Sequence, residues 1–577
     1  VIRRARTVSG RLLVWGLAAL AVTFPLVLHP TATLLGDGAI DVWNHAWGYW
    51  YVAEAIGRGV LPWRTALVGG PEGGILYFID TPGALAMLPV SWLVGPALAY
   101  NLALLLRVAL TGLAAQLLAE EIAGPDDATR RAAGWLAGAA AITMPFLLAE
   151  LRNGIGEVCA TQWLILTLWA AARALRRGGL RAWLLVGLLQ GVTSVVTFYY
   201  GLASAIAVAS LVLLDLLTRA RRRTLPSPGE LLTMAAAALP ALALVVPHWL
   251  AFRASLSSPD ALIRREEELN LRLMAHNAVD PRVFVTPGHF QSVDLAGLYG
   301  EPFVHTGYLR LTVVALTLAA LVLLPRSRRW GVVLVVSLIA ALGPYLWWGG
   351  DWVRIGGMPL SLPFEWIRRL LPQVAITHPL RLGLAGQGIA AALAGLGAAR
   401  LLASRGRAAV ALAGALVVAE GLFGSAATWP IPRAEAAVPD VYADAPPGMV
   451  LDLPAEVGTG METSRYFWFQ TVHGRPIPYT TDVRMGSARD PETFAAFRAA
   501  PRGGQTFAGE DPRTPDRQTL QHIRQTYGLV VVHTDLERRA GLAGAYRAAL
   551  EPVLGPPEER GELLIWRPAT QAGTNAP

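Results

Sequence analysis

Apolar runs long enough to cross a bilayer recur along this chain as far as residue 428, and that recurrence limits what it can fold into. A helix needs roughly 20 apolar residues to span ~30 Å of hydrocarbon. Length and apolarity predict about eleven such spans, near 11–30, 96–118, 131–149, 158–174, 181–199, 201–218, 230–250, 307–324, 331–348, 380–402 and 408–428. In hydrocarbon the backbone must satisfy its own polar groups, so such runs form helices and not open sheet. With 54% hydrophobic and 16% charged residues and a mean hydropathy of +0.42, the composition is too apolar for an ordinary soluble protein. The reading is a mainly α, polytopic transmembrane bundle in a bilayer.

The formal charge of +8 does not point to nucleic acid. Every cation is arginine, and the arginines cluster between apolar runs: Arg3, Arg4 and Arg6, Arg130 and Arg131, Arg176, Arg177 and Arg181, Arg219 to Arg223, Arg326 to Arg329, and Arg405 with Arg407. Each cluster falls on one side if the span count holds, and the positive-inside rule makes that side cytoplasmic. The N-terminus is then inside and the C-terminal segment outside, as in a multi-pass protein of the cytoplasmic (inner) membrane. The first apolar run lacks a small-residue cleavage site and reads as a retained span. The single cysteine, Cys159, excludes an intrachain disulfide and a Cys-based metal cluster.

Two parts are expected. Residues 1–429 form the transmembrane domain, with a long first outer loop at 31–95. Residues 430–577 form a small extracytoplasmic α/β domain, because MVLDLP, LVVVHT and LLIWRP read as short buried strands and Asp490-Pro491-Glu492 as a helix start. Within the first outer loop, 41–56 reads as an amphipathic helix and 83–93 as an interfacial piece.

The first outer loop opens with GDGAIDVWNHAW. Asp37, Asp41 and His45 stand four residues apart, so a helix starting near Gly38 puts Asp41 and His45 on one face. Trp43, Trp47 and Trp50 form a neighbouring stripe of the kind found at membrane interfaces. A partly desolvated carboxylate there suits a general base. Alternatively, Asp and His together suit a divalent cation.

Other polar groups gather on the same face. ELRNGIGEV offers Glu150, Arg152, Asn153 and Glu157 in a turn whose Gly154 and Gly156 let the backbone bend close to a ligand. Arg152 suits a phosphate, and Glu157 a sugar or a metal. THPLRL places His378 and Arg381 at the mouth of a span, where a guanidinium matches a lipid phosphate. Arg107 lies mid-span and needs an interior partner, for which Glu420 is a candidate. LIRREEELN reads as a solvated helix surface, HTGYLR as a possible substrate contact, and His473 and His533 as structural. No GxGxxG, Walker, GxSxG or zincin pattern occurs.

The order of GDGAIDVWNHAW, PEGGILYFIDTP, GPALAYNLALLLRVALTGLAAQLLAEE, THPLRL, and VLDLP with YFWFQTVHGRPIPY resembles the GT-C superfamily of membrane glycosyltransferases, nearest to a bacterial branch. The resemblance implies sugar transfer from a polyprenyl-phosphate donor on the outer face to a cell-envelope glycan, lipid or protein. It also implies that an early acid of the first outer loop, Asp41 ahead of Asp37, acts as base or metal ligand. Substrate contacts would come from His45, Arg152, Asn153, Glu157, His378 and Arg381. A divalent ion, Mg or Mn, would sit at Asp41, His45 and Glu157. The competing readings are a lipid-linked saccharide transporter or flippase, and a non-catalytic membrane scaffold.

Overall fold

The computed structural model describes residues 2–568 apart from 126–127, 263–273, 275–276, 289–302, 371–375, 428, 456, 458–461, 481–492, 494–496 and 498–516. Asp490-Pro491-Glu492 and LIRREEELN from Ile263 onward therefore lie outside the described residues.

Six described helices are long and apolar enough to cross a bilayer: Pro96–Ala123, Arg130–Asn153, Glu157–Arg177, Phe198–Arg221, Pro228–Ser257 and Pro379–Leu401. All six fall on expected runs. The runs at 307–324 and 331–348 become Leu311–Leu323 and Pro325–Ala341, bent by 116° at their break, and together make at most a seventh span. Pro325 and the arginines after it interrupt the apolar stretch there. The runs at 11–30, 181–199 and 408–428 lie in the helices Ile2–Val22, Leu180–Val196 and Gly406–Phe423, whose described apolar parts are shorter than the six. Among the described residues, six or seven of the eleven expected spans are long and apolar enough to cross a bilayer.

The helix Pro379–Leu401 is wholly buried along its apolar stretch. It packs against Leu311–Leu323 and Arg130–Ile142. Its composition explains this. A Cβ on Gly395 would lie 2.3 Å from the Ala133 carbonyl oxygen, and one on Gly397 would lie 1.9 Å from that of Leu316. Glycine lets the helix backbones approach this closely, as membrane helix pairs require. By contrast, none of the apolar stretch of Pro228–Ser257 is buried. That helix packs mainly on Leu180–Val196 and turns its leucines outward.

The segment after helix α1 (Ile2–Val22) folds back over the bundle. Strand β1 (Thr33–Leu35) pairs antiparallel with Arg433–Glu435. Helix α2 (Val42–Gly57) follows, and then the short helices Thr81–Ala86 and Leu88–Leu93. Helix α2 is not amphipathic in use, because it is covered on most sides. Trp43 and Trp47 are buried. Trp47 stacks on Tyr51 at 5.0 Å and meets Phe467 edge-on at 5.6 Å. The aromatic stripe is core, not an interfacial belt, because residues 465–473 lie over it.

The strands expected in the C-terminal part are present. Glu558–Arg560, Leu563–Trp566, Tyr527–His533 and Met449–Leu453 form one sheet in that order. Its last pair is parallel and the others are antiparallel. This sheet region is joined to the first segment by backbone. Ile477 N–H donates to the Leu67 carbonyl at 2.9 Å, Gly69 N–H to Tyr479 at 2.7 Å, and Gly70 N–H to Ile477 at 2.9 Å. The Gln470 amide bonds at both ends here: it accepts from Trp47 Nε1 at 2.8 Å and donates to the carbonyls of Leu67 at 2.6 Å and Arg475 at 2.8 Å.

His473 and His533 are structural in this arrangement. His533 Nε2 lies 3.0 Å from Asp452 Oδ1, deep in the sheet. His473 Nδ1 accepts from the Arg475 N–H at 3.0 Å. Burial pushes His473 from 6.5 down to about 4. Between these values the unfolded chain binds a proton that the folded chain does not. Stability is therefore complete above pH 6.5 and falls as the pH drops toward 4, by up to about 3 kcal/mol from this group. Thermal unfolding in detergent between pH 7 and 4 should show a shallower acid-side decline for His473→Gln than for the parent.

Candidate functional site

The site begins where α2 begins. Asp41 is its N-cap residue, with φ −83° and ψ 1°, and its side chain makes no capping bond. The helix starts at Val42 and not near Gly38, so Asp37 lies outside it. Asp41 and His45 remain one turn apart, with the His45 N–H 3.4 Å from the Asp41 carbonyl.

His45 is largely buried. Its Nδ1 faces Glu157 Oε2 at 3.3 Å, without the alignment of a hydrogen bond. Burial holds its pKa below the ordinary 6.5, and the Asp41 and Asp80 carboxylates only partly offset that. His45 is therefore a neutral imidazole at neutral pH. Arg107 and Arg381 also act on it electrostatically. An acid, a neutral imidazole, a buried Glu157 and two guanidinium groups thus share one neighbourhood.

Asp37 is already engaged. Its Oδ1 accepts from the Ala39 N–H at 3.1 Å, and Oδ2 lies 3.3 Å from the Arg152 guanidinium. Both side chains of that pair are about three-tenths exposed.

Asn153 is not available to a substrate. Its Nδ2 donates to the Val304 carbonyl at 3.0 Å and its Oδ1 accepts from the Val304 N–H at 2.9 Å. It clamps the 303–310 strip to the bundle. The glycines beside it do not make room for a ligand either. A Cβ on Gly154, which has φ +75°, would lie 2.6 Å from Val42 Cα. One on Gly156 would lie 2.8 Å from Asp80 Oδ2. These glycines admit α2 and a buried acid.

That acid, Asp80, carries no role in the sequence reading although it stands in the quoted PEGGILYFIDTP. It is the partner of Arg107, at 2.7 and 2.9 Å from one guanidinium nitrogen. It also accepts from Tyr49 of α2 at 2.8 Å. Glu420 does not pair with Arg107. It caps the helix Leu311–Leu323, accepting from the Leu311 N–H at 2.7 Å, the Thr312 N–H at 3.0 Å and Tyr308 OH at 2.5 Å. A helix N-terminus offers free N–H groups and a favourable dipole to such an acid. Two signals pointed to Asp80: a mid-span arginine demands an acid, and Asp before Thr-Pro marks a helix start.

Arg381 is buried and stands 3.6 Å from Glu150, with its Cζ 5.3 Å from the Tyr199 ring centre. Its Nε and Glu150 Oε2 make no hydrogen bond. A pocket is lined here by Glu150, Asn277, His305, His378 and Arg381. The His305 and His378 rings are 5.5 Å apart, and His378 Nδ1 is 2.9 Å from Thr377 Oγ1. Within HTGYLR, His305 thus faces the pocket. Arg310 is locked elsewhere, donating to the carbonyls of Ala140 at 2.5 Å, Val417 at 3.1 Å and Thr143 at 3.3 Å.

Two solved structures share this arrangement of elements. The arabinofuranosyltransferase AftD from mycobacteria matches with a TM-score of 0.55 and 15% identity over 97% of this chain. The oligosaccharyltransferase AglB from Archaeoglobus fulgidus, solved with an inhibitory peptide and a dolichol-phosphate, matches with a TM-score of 0.51 and 12% identity over 98% of this chain. The chain has the GT-C fold. It spans 40% of the length of AftD and 74% of that of AglB. No family model matches it, and no curated protein matches it by sequence.

Among the described residues no three Asp, Glu, His or Cys side chains are placed to hold a metal ion. Asp41, His45 and Glu157, as arranged, do not fit one.

The buried pair gives a stability prediction. Asp80→Ala strands a guanidinium in the bundle and should lower stability by about 3–5 kcal/mol. Replacing Asp80 and Arg107 together by leucines should recover most of that loss. The midpoint of thermal unfolding in detergent distinguishes the variants.

Proposed function

We propose that this GT-C chain is a membrane glycosyltransferase that moves a sugar from a polyprenyl-phosphate donor to an acceptor on the extracytoplasmic face of the inner membrane. One observation carries the reading: on a fold shared with AftD and AglB, the helix that opens at Asp41 puts the buried His45 3.3 Å from Glu157, and the buried Arg381 lines a pocket with His378.

The chemistry is an inverting displacement. The donor lipid enters from the side between helices, and Arg381 with His378 holds its phosphate, while Arg152 stands as a second cation nearer the surface. Asp41 accepts the proton of the acceptor hydroxyl from within ~2.6–3.2 Å. The acceptor oxygen bonds to the anomeric carbon, the bond from that carbon to the phosphate oxygen breaks, and the lipid phosphate leaves with the negative charge. Arg381 meets that charge with oriented donors, which stabilises the transition state more than the ground state. His45, supported by Glu157, contacts the sugar or the acceptor. The C-terminal segment, joined to the first segment, presents the acceptor, a cell-envelope glycan, lipid or protein.

The purified chain in nanodiscs, supplied with polyprenyl-phosphate pentoses and hexoses, tests this. Asp41→Asn should lower kcat by about 100-fold or more, and Asp37→Asn by less than about tenfold. A chelator should leave the rate within about twofold, since base catalysis of this kind asks for no ion. Full activity in both aspartate variants would remove the base assignment, and loss with the chelator alone would restore the metal. A cysteine placed at residue 41 should react with an impermeant maleimide from outside intact cells.

A further inference from the structure

Between the bent pair ending at Ala341 and the buried helix beginning at Pro379, the chain builds two hairpins and a short helix. Trp347–Trp348 pairs with Asp351–Trp352, and Arg354–Ile355 with Met358–Pro359, both antiparallel. Each turn is Gly-Gly with positive φ at both residues: 64° and 99° at Gly349 and Gly350, 60° and 82° at Gly356 and Gly357. Two-residue hairpin loops of this type need that backbone, so the sequence specifies the tips.

What flanks the tips is apolar. Ile355 is 65% and Met358 71% exposed, and Trp348 is 54% exposed. The helix Pro363–Leu370 buries Phe364 and Glu365. It turns Trp366 and Leu370, one turn apart, outward at 65% and 80% exposure. Five large apolar side chains thus stand exposed within one short segment, which water does not favour.

We propose that the segment 347–370 is a membrane-surface contact, with Ile355, Met358, Trp366 and Leu370 entering the headgroup region of the leaflet on that face. Three observations select lipid. The tether 342–346 is short, reaching about 17 Å even when extended, so the first hairpin stays near the end of the apolar helix that closes the bent pair. Arginines edge the apolar groups: Arg369 lies 5.8 Å from the Trp366 ring centre and Arg282 lies 5.7 Å from that of Trp348. Trp with Arg beside aliphatic tips is the composition of membrane interfaces. These arginines are also paired, Arg354 with Asp351, Arg369 with Glu365 and Arg282 with Asp280. The contact is therefore driven by apolar insertion, and zwitterionic lipid suffices.

The segment also reaches the pocket. Gly349 N–H donates to Asp280 Oδ2 at 2.7 Å, and the same strip carries Asn277, which lines the pocket with Arg381 and His378. The contact would hold the pocket mouth at the level of lipid phosphates. That consequence rests on the proposed function, whereas the lipid contact does not.

The test uses the full chain in phosphatidylcholine nanodiscs. Cys159 is buried, so Met358→Cys and, separately, Trp366→Cys take an environment-sensitive fluorophore, with Arg560→Cys as the exposed reference. The expected result is blue-shifted emission at 358 and 366, and at least about twofold quenching there by a shallow spin-labelled lipid, with neither at 560. Adding phosphatidylglycerol should change this little. Water-like emission at both sites overturns the proposal. So does a blue shift without lipid quenching, which would place a second copy or another protein on the patch. In a membrane assay, Ile355→Asp with Met358→Asp should raise KM for the lipid donor severalfold while leaving kcat near parent. An absence of transfer in the parent chain removes the functional reading and leaves the quenching result standing.

Discussion

One buried ion pair positions the rest. Arg107 sits in the middle of a hydrocarbon-length helix, where an unpaired guanidinium is expensive. Asp80 meets it, and the same carboxylate takes the Tyr49 hydroxyl of α2. A helix of the bundle, a short helix of the first segment and the helix that carries Asp41 and His45 are thereby joined at one acid. Such a pair adds little net stability over a well-packed apolar pair, but its partners cannot separate cheaply. Its effect is to set the depth and rotation of α2 against the bundle.

The other face of α2 is held by the chain's far end. Trp47 meets Phe467 and Gln470, and backbone bonds from 67–70 to 477–479 continue the join. A helix clamped on both sides holds its first turn in place, which the role proposed for Asp41 requires. The neutral His45 follows from the same enclosure. Burial disfavours its cation by more than the nearby carboxylates favour it.

Much of the architecture was legible in the sequence. The six full-length apolar helices, the three C-terminal strands and the helix opening at Asp41 all rest on local signals: length, periodicity and cap residues. The expected spans beyond six or seven rest on the same signals read without their ends. Hydropathy shows that 307–348 is apolar but not that the helix turns by 116° at Pro325. The aromatic stripe of α2 was misread because a tryptophan at an interface and one under a covering helix have the same sequence. Asn153, Gly154 and Gly156 were taken for ligand contacts, and their partners proved to be Val304, Val42 and Asp80. All three partners are distant in sequence or lie in another element, so spacing alone could not name them.

The sequence by itself determined that this chain is a helical membrane protein with acids, imidazoles and arginines gathered outside its apolar runs. Those properties follow from transfer free energies and local geometry, which need no knowledge of neighbours. Only the tertiary structure decided which acid answers Arg107, that Asp37 is engaged by Arg152, that His45, one turn after Asp41, is set beside Glu157, and that Arg381 shares a pocket with two histidines. Charges in a low-dielectric interior act over several ångströms, and the identity of the group at that distance is set by packing between segments far apart in the chain.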